Sequence, residues 1–268
     1  MPAAEIHNMA LFCDFENIAL GVRDAKYQRF DMQKVLERLL LKGSIVVKKA
    51  YCDWDRYREF KAGMHEASFE LIEIPHVRQS GKNSADIRMV VDALDLCYTK
   101  AHVDTFVIIS GDSDFSPLVS KLRENAKVVI GVGVKNSTSD LLIANCDEFI
   151  YYDDLVRETP GRRRAPRKGA AKPAEVAHPP RKSEDERKQE AFDLLVKTLE
   201  ALIAERGEDE RIWGSMIKQA LKRRLPGFSE SYHGFAGFNE LLEEGQTRGL
   251  VTLEHDEKSG GYIVRMPK

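Results

Sequence analysis

The sequence predicts an α/β fold with a parallel sheet, followed by a small winged-helix domain of three helices and a hairpin. In residues 1–156, apolar runs of strand length alternate with segments in which apolar residues recur at helical spacing. Such alternation favours parallel strands joined by right-handed helical crossovers. From residue 187 onward, helical spacing recurs three times before two short apolar runs flank a glycine-containing turn.

Each apolar run of the first domain is short enough to be a buried strand. Strands of a parallel sheet are covered on both faces, so their sequences read as continuous apolar runs. Gly131 and Gly133 lie in the fifth run and indicate close packing or a turn, because no glycine-rich phosphate loop follows a strand. Strands are predicted at 9–13, 45–51, 69–74, 107–109, 128–134 and 149–152, with helices at 32–40, from residue 84, at 117–122 and at 141–144.

Polar side chains follow two of the predicted strands at the point where each strand ends. Asp14 follows the first run, with Asn17 one short turn later, and Asp112 and Asp114 follow the fourth run. Asp86 lies in the first turn of the helix between them. In open α/β sheets, ligands bind beyond the carboxyl ends of the strands, where the strand order reverses. These side chains meet there if the first and fourth strands are neighbours.

A cluster of this kind suits a metal-dependent phosphodiesterase. Hydrolysis of a phosphodiester requires a divalent cation that neutralises charge and lowers the pKa of the attacking water. Hard cations such as Mg²⁺ prefer oxygen ligands, and carboxylates repel one another unless a cation lies between them. Each residue also has a simpler interpretation, Asp114 as a turn former and Asp86 as a partner of the helix dipole. The coincidence of acidic residues at three such places favours the site.

The two domains are joined by a basic segment, which we assign to residues 157–186. Residues 155–182 contain nine Lys or Arg and two Glu, together with many Pro, Gly and Ala. Such a composition predicts a disordered linker. The linker is either a plain tether or a mobile arm that binds RNA phosphates through Arg162, Arg163 and Arg164.

The second domain, residues 187–268, is predicted to contain helices at 191–202, 212–221 and 235–242 and a terminal hairpin. Lys222, Arg223 and Arg224 lie near the end of its second helix. They form a candidate RNA-binding patch, although basic residues at a helix end are also favoured by the helix dipole alone.

The remaining composition restricts location and chemistry. The formal net charge is −2, and no apolar stretch has the length of a membrane span or the pattern of a signal peptide, so a cytoplasmic protein is expected. The four cysteines are far apart and lie in apolar runs, which predicts buried free thiols. The lack of a glycine-rich loop after the first strand argues against a nucleotide-binding domain.

Three segments in order carry a resemblance to a known family. They are CDFEN at 13–17, KNSADIRMVVDALD at 82–95 and SGDSDFSPLV at 110–119. Over residues 8–154 the chain resembles the NYN domain, a branch of the PIN-like ribonuclease superfamily, in its limkain and LabA-like form. The resemblance implies a Rossmann-like α/β/α sandwich and hydrolysis of RNA that depends on Mg²⁺ or Mn²⁺.

The same resemblance implies roles for individual residues. Asp14, Asp86 and Asp112 would bind the metal, and Asp114 would be a further ligand or would orient water. Asn17 would position Asp14, and Lys82 would contact an RNA phosphate. The second domain resembles the OST-HTH or LOTUS domain through LPGFSESYHGFAGFNELLE at 225–243, which implies binding of RNA or of a protein partner.

The sequence therefore predicts a metal-dependent ribonuclease whose second domain binds RNA or a partner. The alternative is an RNA-binding adaptor without catalytic activity. The natural RNA, the mode of cleavage and the oligomeric state stay open.

Overall fold

The computed structural model describes residues 7–27, 29–74, 84–156, 183–207, 210–256 and 260–267. Within these residues the chain divides into two compact units. The first extends to Val156 and includes the short segment Lys222–Phe228, and the second comprises the remainder.

The first unit is an α/β structure in which strands and helices alternate, as the sequence predicts. Three helices, α1, α3 and α7, were not expected from apolar spacing, and α3 buries only Met64 fully. The elements are β1 (His7–Asp14), α1 (Phe15–Asp24), α2 (Met32–Leu40), β2 (Gly43–Cys52), α3 (Arg58–Glu66), β3 (Glu70–Glu73), α4 (Ser84–Thr99), β4 (Thr105–Ile109), α5 (Ser116–Glu124), β5 (Val128–Gly133), α6 (Asp140–Asn145), β6 (Glu148–Tyr151) and α7 (Tyr152–Val156).

All six strands of the first unit form one parallel sheet, in the order β3-β2-β1-β4-β5-β6. The chain builds one half of the sheet outward from β1 through β2 to β3. It then crosses back through α4, so that β4 lies on the other side of β1. The strand order therefore reverses between β1 and β4, the two strands that precede the acidic residues.

Strand β1 shows why its residues Met9–Cys13 form a continuous apolar run. Met9, Leu11 and Cys13 point to one face of the sheet, and Ala10 and Phe12 point to the other. Helices α1, α2, α3 and α7 cover the first face, and α4, α5 and α6 cover the second. Because successive side chains of a strand alternate between faces, a strand covered on both sides buries every residue.

The structure corrects one sequence expectation for the first unit and explains another. Leu40 continues the helical apolar spacing of α2 and is expected to be buried, but its side chain is 59% exposed. It lies about 100° around the helix from the buried Leu39, which turns it to solvent. Gly131 is explained by close packing, since a Cβ atom there would lie 2.3 Å from the ring of Phe149.

The second unit contains the predicted sequence of three helices and a hairpin. Its elements are α8 (Glu184–Arg206), α9 (Gly214–Arg224), α10 (Phe238–Thr247) and the antiparallel strands β7 (Thr252–His255) and β8 (Tyr262–Arg265). The linker was expected to extend to residue 186, but α8 begins at Glu184. Ser183 and Glu186 form a capping box there, each accepting a hydrogen bond from the other's backbone N–H.

All four cysteines are buried and unpaired, as predicted. None of the helices in the described part of the chain combines the length and apolar character that crossing a membrane requires.

Candidate functional site

The candidate site lies at the carboxyl ends of β1 and β4. Cys13 and Ile109 are paired across these strands, so Asp14 and Ser110 emerge side by side where the strands end. This edge is the position at which open α/β sheets bind ligands.

Asp14 is held by two hydrogen bonds and is only 8% exposed. Its Oδ1 accepts from the backbone N–H of Asn17 at 3.3 Å, which caps α1. Its Oδ2 accepts from the hydroxyl of Ser110 at 3.0 Å. The carboxylate is therefore held by residues that follow both β1 and β4, the two strands between which the strand order reverses.

Asn17 ties the beginning of α1 to the loop after β4. Its side-chain oxygen accepts a hydrogen bond from the backbone N–H of Gly111 at 2.8 Å. Only glycine fits at position 111, because a Cβ atom would lie 2.6 Å from the backbone oxygen of Ser137. Asn17 thus positions the loop that carries Asp112, as well as lying beside Asp14.

The loop after β4 is organised by short-range hydrogen bonds. The Ser110 hydroxyl accepts from the backbone N–H of Asp112 at 3.2 Å. Oδ1 of Asp112 accepts from the backbone N–H of Asp114 at 2.9 Å and so caps a single 3-10 turn, Ser113–Phe115. The side chain of Asp112 is half-buried, and that of Asp114 is exposed.

The carboxylates of the site interact strongly with one another. Burial raises the pKa of Asp14 to about 7, and the charges of Asp86 and Asp112 contribute to the rise. Hydrogen bonds from Ser110 and Asn17 oppose it. Burial also raises the pKa of Asp86, and the charges of Asp112, Asp114 and Glu16 raise it further. The negative charges of five carboxylates therefore interact with one another, namely those of Asp14, Glu16, Asp86, Asp112 and Asp114.

Within the described ranges, Asp14, Asp86, Asp112 and Asp114 form no ion pair with a lysine or arginine. Four carboxylates without a cationic partner are costly to hold together. The helix dipole at the beginning of α4 favours Asp86 but does not neutralise the group.

The donor atoms of the cluster fit a hard divalent cation, since all of them are oxygens. In the part of the chain that the structure describes, no group of three or more His, Cys, Asp or Glu side chains converges closely enough to hold a metal ion. A cation shared by three of these carboxylates therefore requires rotation of at least one side chain. Asp112 and Asp86 are half-buried, whereas Asp14 is buried.

The structure brings together five of the predicted site residues, namely Asp14, Asn17, Asp86, Asp112 and Asp114. Lys82 and the linker arginines Arg162, Arg163 and Arg164 lie outside the described residues. At the end of α9, Arg223 and Arg224 are exposed, whereas Lys222 is half-buried.

Sequence reasoning missed Ser110, which is fully buried and bonds to both Asp14 and Asp112. Its only sequence signal is a hydroxyl directly after a buried strand. Serine is common at such positions, so the signal becomes specific only once β1 and β4 are known to be neighbours.

Residues 8–153 match the family model of the NYN domain. An uncharacterized protein of Methanocaldococcus jannaschii is 27% identical over 136 residues, which is 51% of this chain and 51% of that protein. The meiosis regulator and mRNA stability factor 1 of Xenopus tropicalis is 25% identical over 111 residues, 41% of this chain and 7% of that protein.

A solved structure shares the architecture. A protein of unknown function from Vibrio parahaemolyticus superposes with a TM-score of 0.51 at 27% identity and covers 58% of this chain and 98% of its own. The chain spans about half the length of the Methanocaldococcus relative and less than a tenth of the Xenopus relative.

Proposed function

The chain belongs to the NYN domain family, part of the PIN-like nucleases, and from that premise we propose that it is a ribonuclease dependent on Mg²⁺ or Mn²⁺. The observation that carries the proposal is the proximity of Asp14, Asp86 and Asp112 at the switch point, where the described residues give them no cationic partner. A site that concentrates negative charge in this way favours a divalent cation, which would supply the positive charge that a phosphodiester requires.

In this proposal Asp14, Asp86 and Asp112 would hold the cation, which would lower the pKa of an attacking water and neutralise charge on the phosphodiester. Asn17 and Ser110 keep Asp14 and the Asp112 loop in place through their hydrogen bonds. Asp114, exposed at the rim, accepts a proton from water or orients it. Asp14 must lose its proton before it can act as a ligand, so neutral to alkaline pH favours the reaction.

A second candidate is an RNA-binding adaptor without catalytic activity. It is supported by the lack, within the described ranges, of three metal-binding side chains gathered in the required arrangement. In that case the acidic cluster would bind a cation weakly or serve the structure only.

We further propose that the second unit is a winged helix of the OST-HTH type that binds RNA or a protein partner. Its order of three helices and a hairpin supports this, as do the exposed Arg223 and Arg224. Lys82 and the linker arginines 162–164 are proposed as additional phosphate contacts.

The test is cleavage of an end-labelled single-stranded RNA by the full chain in Mg²⁺, in Mn²⁺ and in EDTA. Helix α4 supplies a matched pair of variants, since Asp86 belongs to the cluster and the exposed Asp95 does not. Cleavage should require the cation, disappear in Asp86→Asn and persist in Asp95→Asn. Cation-independent cleavage, or equal loss in both variants, would refute the proposal. RNA binding without any cleavage would support the adaptor.

A further inference from the structure

A groove rich in arginine and aromatic residues lies on the first unit, between α1 and α3. It has a volume of about 400 Å³ and is named here the arginine groove. Three arginines and a single glutamate, Glu59, are the charged residues that line it. Its principal lining residues are Arg23, Tyr27, Arg29, Arg56, Tyr57 and Phe60.

The arginine groove begins next to the carboxylate cluster. Arg56 Nη1 lies 3.2 Å from Glu16 Oε1. Glu16 lies in the first turn of α1, which Asp14 caps. Glu16 is therefore close both to the acidic site and to the first cation of the groove.

Tyr57 shows that the charges of the groove are close together. Burial raises the pKa of its phenol to about 12, and Glu16 adds to the rise. The positive charges of Arg56 and Arg23 act in the opposite direction. Arg23, Arg56 and Tyr57 also line the same groove, although Arg23 belongs to α1 and Arg56 to the loop before α3.

The arginines are available to an incoming anion. Arg23 is 73% exposed and its contact with Asp24 is 3.5 Å long, while Arg56 is 51% exposed. Exposed ion pairs of this kind contribute little to stability. A phosphate can therefore replace the carboxylate partner of each arginine at a small cost in free energy. Arg29 lies with its guanidinium carbon 4.6 Å from the ring centre of Phe60, which presents a planar cation at the groove.

Arginines alternating with aromatic rings suit single-stranded nucleic acid. The guanidinium groups bind backbone phosphates, and the rings stack on unpaired bases without regard to their identity. A duplex needs no such rings, because its bases are already stacked. A groove of this composition that opens beside an acidic catalytic cluster supplies the attraction for RNA that the cluster itself lacks.

We infer that the arginine groove is the binding track for the single-stranded RNA substrate, with Arg23 and Arg56 on phosphates and Tyr57 stacked on a base. The inference rests on the proposed ribonuclease function, because it is this function that brings RNA to the neighbouring cluster. The strand runs from the groove past Glu16 and Arg56 to the carboxylates.

The experiment measures binding of a fluorescein-labelled 12-nucleotide oligouridine to the full chain in EDTA, by anisotropy over a range of salt concentrations. The double variant Arg23→Ala/Arg56→Ala should bind about tenfold more weakly. The slope of log affinity against log salt should fall by about 1.4, at roughly 0.7 for each single-strand phosphate that is no longer neutralised. Arg38→Ala is the control, since Arg38 is exposed on α2 and lies outside the groove.

Tyr57 provides an independent measurement that does not depend on a destabilising variant. An oligonucleotide with 5-iodouridine should cross-link on irradiation to the peptide that contains Tyr57, and Tyr57→Phe should keep the affinity because the ring remains. Unchanged affinity and salt slope in the double variant, or cross-links confined to other peptides, would overturn the inference.

Binding is measured without turnover, which separates the two proposals. Groove-dependent binding with no cleavage in Mg²⁺ or Mn²⁺ would refute the ribonuclease and leave the track standing. Cleavage that persists while the double variant binds like the wild type would refute the track alone.

Discussion

Asp112 is the residue at which the proposed chemistry is most sharply tested. Asn at this position still caps the 3-10 turn, because its side-chain oxygen can accept from the Asp114 N–H as Asp112 does at 2.9 Å. In EDTA, Asp112→Asn should therefore unfold at or above the wild-type temperature, because one of the crowded carboxylate charges is removed. Loss of the charged ligand should lower the cleavage rate by at least about 100-fold, while RNA binding stays equal or improves. The measurement is the RNA cleavage rate in saturating Mn²⁺. Equal rates for variant and wild type would show that Asp112 is not a site residue.

Asp14 makes the stability of the metal-free protein depend on pH. Its pKa is about 7 in the folded state, against 3.8 ordinarily, so the folded protein binds the proton more tightly than the unfolded chain. The resulting stabilisation is fully present below about pH 4 and is lost as pH rises through 7. About three pKa units correspond to at most roughly 4 kcal/mol.

Asp14→Asn should remove this dependence. In urea titrations with EDTA, the free energy of unfolding of the variant should rise relative to that of the wild type between pH 5 and pH 8. The pH dependence contributed by Asp86 should remain in both proteins. Added Mg²⁺ should stabilise the wild type at pH 8 and have little effect on the variant. Parallel pH profiles for the two proteins would show that Asp14 is not the titrating group.

At the scale of elements, helix α4 carries Asp86 and is anchored to the sheet by Asp92. Asp92 accepts hydrogen bonds from the buried Tyr51 hydroxyl at 2.9 Å and from Arg88 Nε at 3.0 Å. Lys49 Nζ of β2 lies 3.5 Å from the same carboxylate. This group fixes the helix less than two turns from Asp86.

Asp92→Ala should cost about 2 kcal/mol of unfolding free energy, because it leaves the Tyr51 hydroxyl buried without its acceptor. The cleavage rate should fall as well, since α4 then holds Asp86 less firmly. In a Tyr51→Phe background the same substitution should cost less, by about 1 kcal/mol. Equal costs in both backgrounds, from denaturant titrations, would mean that the hydrogen bond does not anchor the helix.

At the scale of the whole molecule, the net charge of −2 conceals separate acidic and basic regions. The carboxylate cluster repels RNA without a cation, whereas the exposed end of α9 attracts phosphate. Arg223→Ala/Arg224→Ala should raise KM several-fold and leave kcat unchanged, because these residues lie outside the proposed catalytic cluster. Steady-state kinetics on a long RNA provide the measurement. A lowered kcat with unchanged KM would contradict this division of roles, and unchanged kinetics would favour a protein partner for the second unit.

Much of this organisation could be predicted because it depends on local chemistry. A continuous apolar run of strand length must be buried on both faces, so β1, β4 and β5 were predictable from their own residues. Asp14 closes the apolar run of β1 and Asp112 lies three residues after that of β4, so their position at the edge of the sheet was predictable, while their role in a site stays a prediction. Helix α3 was not, since Met64 is its one fully buried residue.

The sequence by itself determined the α/β class, the parallel strands, the acidic residues at the strand ends and the order of elements in the second unit. Only the tertiary structure decided that β1 and β4 are neighbours, that Ser110 joins Asp14 to Asp112, and that Arg23, Arg56 and Tyr57 line one groove. The physical reason is sequence distance. Apolar period and turn chemistry act within a few residues, whereas Asp14 and Ser110 are 96 residues apart and meet only because the sheet reverses its strand order between them.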